Sequence, residues 1–295
     1  MTAGPTTAAP GLDATVLALP GAPEGRFLVH ELLGRGATAT VFRGTDVLTG
    51  RTVAIKVAEG PEDKDASRIH DEARVLAALG HPGVVRFVAA GTVPGGDRWA
   101  GRPFLVEEFV SGGSLSERIR GGVCPPEVVA GWAADALAGL DHVHARGLVH
   151  RDIKPANILL SELRRSSVRL ADFGIAVTAG TAPEPGMSSG TVHYMSPEQA
   201  REEPLHGSTD IYALGLVLLE CRTGEKAYPG TPVESLVART LRGPVVPAGL
   251  GAGWVKLLTA MTAMDPAARP TASAARKTAL RLAAARTSPP LRLAG

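Results

Sequence analysis

Only two cysteines, Cys124 and Cys221, occur in the 295-residue chain. They form no spaced pair, so neither a disulfide framework nor a cysteine metal site is expected. Cys221 ends an apolar, helix-like run and reads as a core residue. Residues 1–25 contain no Lys or Arg, which excludes the basic start of an ordinary signal peptide. That stretch, rich in Ala, Pro, Thr and Gly, is expected to be a disordered leader. No apolar run reaches the roughly 18 residues that would signal a membrane span. Neither charge sign dominates: the formal net charge is +2, so there is no general basic field and nucleic acid is not an expected partner. No internal repeat is detectable. Lysine is scarce, six against twenty-five arginines, which makes the position of each Lys informative.

Two of those lysines stand in patterned surroundings. The stretch His150-Arg151-Asp152-Ile153-Lys154-Pro155-Ala156-Asn157, followed by Asp172-Phe173-Gly174, collects the residue types that phosphoryl transfer requires. One Asp can accept the proton of an attacking hydroxyl, a Lys can neutralise a transferring phosphate, and an Asn with a second Asp can hold a hard cation through oxygen. Either short motif alone would be an ordinary charged loop or turn. Their placement is what carries weight: Ile158, Leu159 and Leu160 read as one short strand and Val168 to Ala171 as another. Such a hairpin would aim Asp152 and Asn157 from one loop and Asp172 from the next at a common point.

Upstream, Leu33-Gly34-Arg35-Gly36-Ala37-Thr38-Ala39-Thr40-Val41 lies between two strand-like runs, Phe27 to Leu33 and Thr40 to Gly44. A hairpin is expected there, with glycines that let backbone N–H groups approach phosphate oxygens. A strand and not a helix follows, which argues against a dinucleotide site. In Val53-Ala54-Ile55-Lys56-Val57 a cation sits in the middle of an apolar strand, a costly position unless it is paired. Its partner is sought in the helix expected over 65–79, where Ile69, Ala73, Leu76 and Leu79 recur at helical spacing. Glu72 falls beside that apolar side, whereas Asp71 and Glu62 read as solvated helix charges.

With these motifs the chain resembles the eukaryotic-type (Hanks-type) serine/threonine protein kinases of bacteria, over residues 26 to 286. The series from His150 to Asn157 followed by Asp172-Phe173-Gly174 is that family's own signature. Further matches are Gly190-Thr191 ahead of Tyr194-Met195-Ser196-Pro197-Glu198, Asp210 within Ser208 to Gly215, and Arg269 within Asp265 to Pro270. The spacing of Glu72, nine residues before His81-Pro82, follows the family pattern as well. Three departures stand out: Ala39 replaces the third loop glycine, Ser196 precedes Pro197-Glu198 where Ala is usual, and Glu107 occupies a usually apolar position.

The resemblance implies residue roles. Asp152 would take the proton of the acceptor hydroxyl, Lys154 would offset charge on the transferring group, and Asn157 and Asp172 would bind Mg2+ or Mn2+. Lys56, fixed by Glu72, would align the phosphates of ATP. Contacts to ATP are implied at Leu33, Gly34, Arg35, Gly36, Ala37, Thr38, Ala39, Thr40, Val41, Ala54, Lys56, Glu108, Val110 and Leu159, with backbone groups of a hinge over 108–113 meeting the adenine edge. Glu198 would pair with Arg269, Asp210 would hold the backbone of the catalytic loop, and Thr191 would support Asp152 and Lys154. Arg151 would pair with a phosphorylated residue of the activation segment, the candidates being Thr178, Thr181, Ser188 and Ser189. Glu107 would stand behind the adenine, either desolvated with a raised pKa or drawn to Lys56; with the alignment off by one, it would face solvent instead.

The expected fold class is α+β, a bilobal kinase-like fold: a small antiparallel-sheet lobe with one helix over about 26–108, a hinge over 108–113, a mostly helical lobe over about 114–286, and a tail over 287–295. Small-lobe strands are expected near 26–33, 40–46, 51–57, 84–89 and 103–108. Helices are expected over 114–120, 125–146, 208–223, 232–241, 253–264 and 271–286. The last carries Arg276, Lys277, Arg281 and Arg286 and is read as a packed helix with a solvated basic face. Pro94 to Arg102 is a loop with no assignable role. The expected activity is transfer of the gamma-phosphoryl group of Mg-ATP to Ser or Thr hydroxyls of protein substrates, with autophosphorylation in trans through a homodimer as a further expectation. Membrane-anchored relatives carry a spanning helix after the kinase domain, and none follows here, so a cytoplasmic location is expected. The alternatives are a nucleotide-binding pseudokinase, which the presence of Lys56, Asp152 and Asp172 disfavours, and a small-molecule kinase, which the segment from Gly190 to Glu198 disfavours.

Overall fold

Alternation of apolar residues builds the first sheet. In the computed structural model, which describes residues 16–17, 26–36, 38–59, 64–94, 99–161, 166–174, 176–181 and 192–285, six strands pair antiparallel: β1 (Val16–Leu17), β2 (Phe27–Arg35), β3 (Ala39–Asp46), β4 (Arg51–Ala58), β5 (Phe87–Thr92) and β6 (Pro103–Glu108). Their order is β1-β2-β3-β4-β6-β5. Helix α1 (Lys64–Ala78) joins β4 to β5. Side chains alternate faces along a strand. One face of the sheet therefore buries Phe42, Val53, Ile55, Val57, Phe104 and Val106. Full burial of a side chain such as Ile55 or Phe104 contributes about 1.5–3 kcal/mol.

The chain divides into two compact units, residues 1–77 with 86–109 and residues 78–85 with 110–295. Three expectations need correction in and around the first. Val16 and Leu17, assigned to a disordered leader, pair with Leu28 and Phe27 as a short edge strand. The strand expected over 84–89 begins at Phe87, because the backbone of residues 83–85 bonds to Leu170 instead. The loop from Pro94 to Arg102 has a packing role after all: Trp99 is buried edge-on against Phe42, ring centroids 5.6 Å apart, with the Arg102 guanidinium over its indole.

The second unit is mainly helical, with α2 (Leu115–Arg120), α3 (Pro126–His144), α4 (Pro197–Ala200), α5 (Gly207–Thr223), α6 (Pro232–Leu241), α7 (Ala252–Met261) and α8 (Ala272–Ala284). Two short ribbons interrupt them: β7 (Leu148–Val149) pairs with β10 (Val177–Thr178), and β8 (Ile158–Leu160) with β9 (Val168–Leu170). Helix α5 is buried on every side from Thr209 to Cys221, as a helix apolar all round should be. Its end is set by Gly224, which adopts φ 78° and closes the helix in the left-handed conformation. Ser114 with Glu117, Ser196 with Gln199, and Thr231 with Glu234 form reciprocal capping boxes at α2, α4 and α6. Each cap is worth about 0.5–2 kcal/mol.

Helix α8 buries Ala272, Ala275 and Ala279 and packs on α3, leaving Arg276, Lys277 and Arg281 in solvent. Helices α3, α7 and α8 end two or three residues earlier than their sequence pattern suggests. Among the described residues no helix is long and apolar enough to cross a membrane.

Candidate active site

The loop from His150 to Asn157 is held from below by the carboxylate of Asp210 on α5. Asp210 Oδ2 accepts the backbone N–H of His150 and Oδ1 that of Arg151, both at 2.9 Å. His144 Nε2 lies 2.8 Å from Oδ2. Burial works to raise the Asp210 pKa, but the hydrogen bond and charge of His144 and the contacts with His150 prevail and hold it below the usual carboxylate range. His150 accepts the Asp152 N–H at Nδ1, so its ring proton sits on Nε2 and is donated to the Ala171 carbonyl. Its ring packs on the buried Phe173, centroids 4.4 Å apart. One imidazole thus ties Asp152 to the segment that carries Asp172.

At the top of this loop Lys154 Nζ donates to Asp152 Oδ2 at 2.7 Å. Asn157 Nδ2 donates to the Asp152 carbonyl and to Oδ2, at 2.9 and 3.0 Å. With both amide hydrogens so engaged, Asn157 presents its side-chain oxygen, the atom a hard cation takes. The Ala171 N–H bonds to the Asn157 carbonyl at 2.9 Å, and Asp172 follows with φ 66°, a left-handed conformation unusual for a residue other than Gly. The register Ile158 to Leu170 and Leu159 to Arg169 joins the two loops as a hairpin. Among the described residues no cluster of three or more His, Cys, Asp or Glu could hold a metal. One Asp and one Asn are a sparse protein set, which suits a Mg2+-like ion that keeps several waters and shares its coordination with phosphates.

In the first unit, Lys56 Nζ donates to Glu72 Oε2 at 2.6 Å, and Glu72 is 1 % exposed. Glu72 lies on the same side of α1 as the buried Ile69, Ala73 and Leu76. Strand register sets Val41 and Leu105 opposite Lys56, and Arg43 and Glu107 opposite Ala54, so all six share one sheet face. Glu107 thus lies on the face of Lys56 with its Oε1 buried, and the solvent-facing alternative does not hold.

The glycine-containing turn projects outward. Leu33, Gly34, Arg35 and Gly36 are exposed, and the Gly36 N–H closes on the Ala39 carbonyl at 2.8 Å. Among the described residues a Cβ at Gly34 would meet no atom within 4 Å beyond its chain neighbours, and its φ lies outside the left-handed region. Neither packing nor backbone conformation among the described residues requires glycine there. Thr38 is half-buried, Ala39 is buried, and Thr40 is buried with its hydroxyl bonded to Glu59. Glu108, whose N–H bonds to the Arg86 carbonyl, and Val110 are half-buried, as is Leu159 in the second unit. Ala37, Thr191, Ser188 and Ser189 lie outside the described residues. Thr178 and Thr181 are exposed.

After α4 begins, Glu198 accepts from both terminal guanidinium nitrogens of Arg269, at 2.6 and 2.9 Å. Burial opposes the Glu198 charge, but this fork and the Thr209 hydroxyl outweigh it and keep the carboxyl below its usual range. Several contributors were not legible in the sequence. Gln199 donates to the Arg151 carbonyl, so that residue is gripped through both its N–H and its C=O. Arg239 of α6 is fully buried, donating to Ser235 and to the Met195 carbonyl with Tyr228 under its guanidinium. The Tyr194 hydroxyl donates to Glu220 at 2.6 Å. Only Gln199 left a signal, as the last residue of the capping box Ser196-x-x-Gln199.

Comparison with known proteins agrees with this geometry. The protein kinase domain family matches residues 27–280. Serine/threonine-protein kinase PknL of Mycobacterium tuberculosis is 35% identical over 257 residues, covering 83% of this chain and 62% of that protein. Serine/threonine-protein kinase PknB of Mycobacterium leprae is 34% identical over 230 residues, covering 75% of this chain and 36% of that protein. The DNA damage-responsive serine/threonine-protein kinase RqkA of Deinococcus radiodurans is 38% identical over 229 residues, covering 75% and 33%. The chain therefore spans from a third to somewhat under two thirds of the length of these relatives. A family match that reaches from β2 to α8 and takes in the paired Lys56 and Glu72 and the whole loop around Asp152 leaves one conclusion: the chain belongs to the protein kinase domain family.

Proposed function

We propose that the chain transfers the gamma-phosphoryl group of Mg-ATP to Ser or Thr hydroxyls of protein substrates. The observation that carries this reading is the loading of Asp152: Lys154 and Asn157 both donate to Oδ2, and the Asn157 amide also grips the Asp152 carbonyl. A carboxylate held so firmly is oriented to receive a proton along one direction, as a general base must be. Asp152 takes the proton of the acceptor hydroxyl as its oxygen forms a bond to the gamma-phosphorus. The bond from that phosphorus to the bridging oxygen breaks and ADP leaves.

Lys154, beside Asp152, offsets negative charge on the transferring group. Lys56, held by Glu72, orients the phosphates, and the exposed turn around Gly34 lets them come close to the backbone. Asn157 and Asp172 would hold a divalent metal, which would supply charge neutralisation at the phosphates. Lys154, two residues beyond Asp152, supports Ser and Thr as acceptors. The test is incubation of the purified chain with radioactive ATP, Mg2+ and a general acceptor protein. Label on Ser or Thr of the acceptor supports the proposal, and ATP binding without transfer under any metal condition overturns it.

A further inference from the structure

Where β2 begins and β3 turns into β4, the first unit holds a small cavity of about 120 Å3. That exceeds several-fold the roughly 10–15 Å3 a single water needs and falls short of the roughly 300 Å3 at which pockets take a whole small molecule. A headgroup therefore fits and a nucleotide does not. Val53, Phe87 and Val88 form its apolar part, and Arg26, Arg51 and Arg86 its charged part. Residues 53 and 56 fall on opposite faces of β4, so the cavity is distinct from the face that carries Lys56.

Asp46, the one carboxylate of the lining among the described residues, is already engaged. It is 2 % exposed; Oδ1 accepts from Arg26 Nε at 3.1 Å and from the Leu48 N–H at 3.2 Å, and Oδ2 accepts from Arg26 Nη2 at 3.1 Å and from the Thr49 hydroxyl at 3.0 Å. The Arg26 fork holds this carboxyl below its usual range against the opposing effect of burial. Arg51 stands opposite Asp46 in the strand register without forming an ion pair with it. Among the described residues neither the Arg51 nor the Arg86 guanidinium has a hydrogen-bond or ion-pair partner, and both residues are exposed. Glu108, opposite Val53, offsets part of this positive field, with Oε1 taking the backbone N–H of Arg86 at 3.1 Å. Two unspent guanidinium forks thus border an apolar recess. Such a fork matches the oxygens of a phosphate in pairs, and a phosphomonoester brings nearly two negative charges and three acceptor oxygens where a carboxylate brings one charge and two oxygens.

We propose that this cavity binds a phosphomonoester dianion, gripped by Arg51 and Arg86 and backed by the pair of Arg26 and Asp46. The site stands independently of the kinase function above.

The experiment titrates the full chain into fluorescein-labelled peptides that differ at one position, phosphothreonine, Glu or Thr, and reads binding by fluorescence anisotropy. Mg2+ and a non-hydrolysable ATP analogue are present in excess to fill the nucleotide site. The phosphothreonine peptide should bind at least about tenfold more tightly than the other two, the gain that charge-assisted hydrogen bonds to two guanidiniums supply. The double variant Arg51→Ala, Arg86→Ala should lose that advantage. The double variant Arg51→Lys, Arg86→Lys should keep only part of it, because the charges remain while the forks are gone. A thermal unfolding midpoint matching that of the unmutated chain shows that the fold is intact, and should the Ala variant unfold, the Lys variant decides. Competition with inorganic phosphate separates the sources of the ligand: displacement at concentrations near the peptide Kd points to free phosphate compounds, displacement only at far higher ones to a phosphorylated polypeptide, and either upholds the site. No binding of the phosphothreonine peptide, equal binding of the three peptides, or a phosphate advantage that both double variants retain in full overturns the proposal.

Discussion

Asp210 holds Arg151 in a left-handed backbone conformation. The Asp210 carboxylate accepts the Arg151 N–H at 2.9 Å, and Arg151 sits at φ 69°, a region that residues other than glycine seldom occupy. Such a conformation costs of order 1–3 kcal/mol and persists only where the surroundings over-determine it. Here Asp210 takes the N–H and Gln199 donates to the C=O. The strained residue is the immediate neighbour of Asp152, so the position of the proposed base depends on a helix far away in sequence.

Replacement of Asp210 by Ala should leave two buried N–H groups without their acceptor and cost about 2–5 kcal/mol of stability. Phosphoryl transfer should fall more steeply than stability accounts for, because Arg151 is then free to relax and carry Asp152 with it. Urea unfolding together with autophosphorylation at a temperature where the variant is folded checks both parts. Full activity in a folded Asp210→Ala protein would remove the positioning role.

For the proposed chemistry, Asp152→Asn should slow autophosphorylation by about 10^2- to 10^4-fold, the usual contribution of a general base. Asp172→Ala should abolish it through loss of a metal-binding oxygen. Labelling from radioactive ATP at the unmutated rate in Asp152→Asn would show that the base has been assigned to the wrong residue.

The pair Glu198 and Arg269 predicts a defined pH dependence. Because the carboxyl is held below its ordinary range in the folded protein, the stability it contributes is present at neutral pH and lost as pH falls through that depressed value. Arg269→Met should cost about 3–5 kcal/mol at neutral pH by stranding a buried carboxylate. Desolvation is then less opposed, the carboxyl titrates at higher pH, and the stability gap between the two proteins should narrow toward about pH 4. Denaturant unfolding over that range measures the gap, and a gap that stays constant would rule out the electrostatic account.

Control by phosphorylation is expected at Thr178, Thr181, Ser188 or Ser189. A phosphate would bring nearly two negative charges to the region of Arg151. Mass spectrometry of active enzyme should find at least one of these residues modified, and the variant with all four replaced by Ala should turn over more slowly. An unmodified segment in fully active enzyme would discard this mechanism.

Glu107 lies on the Lys56 face of its sheet with Oε1 buried, where a charged carboxylate would compete with Glu72 for that cation. Glu107→Met should keep the fold and tighten ATP binding by up to roughly tenfold. An ATP KM unchanged in the variant would argue against the competition.

Local signals were enough to place much of the molecule. Period-two alternation marked the sheet strands except β1 and the start of β5, and helical periodicity marked α1 and the longer helices of the second unit. The two lysines, the Asp152 and Asp172 motifs and the glycine turn were each legible, because contiguous residues carry them. Three things were decided only in three dimensions. Trp99 sits in a stretch with no periodicity, and its burial against Phe42 depends on a strand that precedes it by more than fifty residues in sequence. Arg239 looks like a surface residue of an amphipathic helix, yet it is buried because Ser235, the Met195 carbonyl and the Tyr228 ring satisfy it from separate elements. The left-handed turns at Arg151 and Asp172 leave no compositional trace, since neither residue is Gly. Sequence patterns report what neighbours along the chain prefer. Strain and buried charge are sustained by partners that only folding brings within hydrogen-bonding distance.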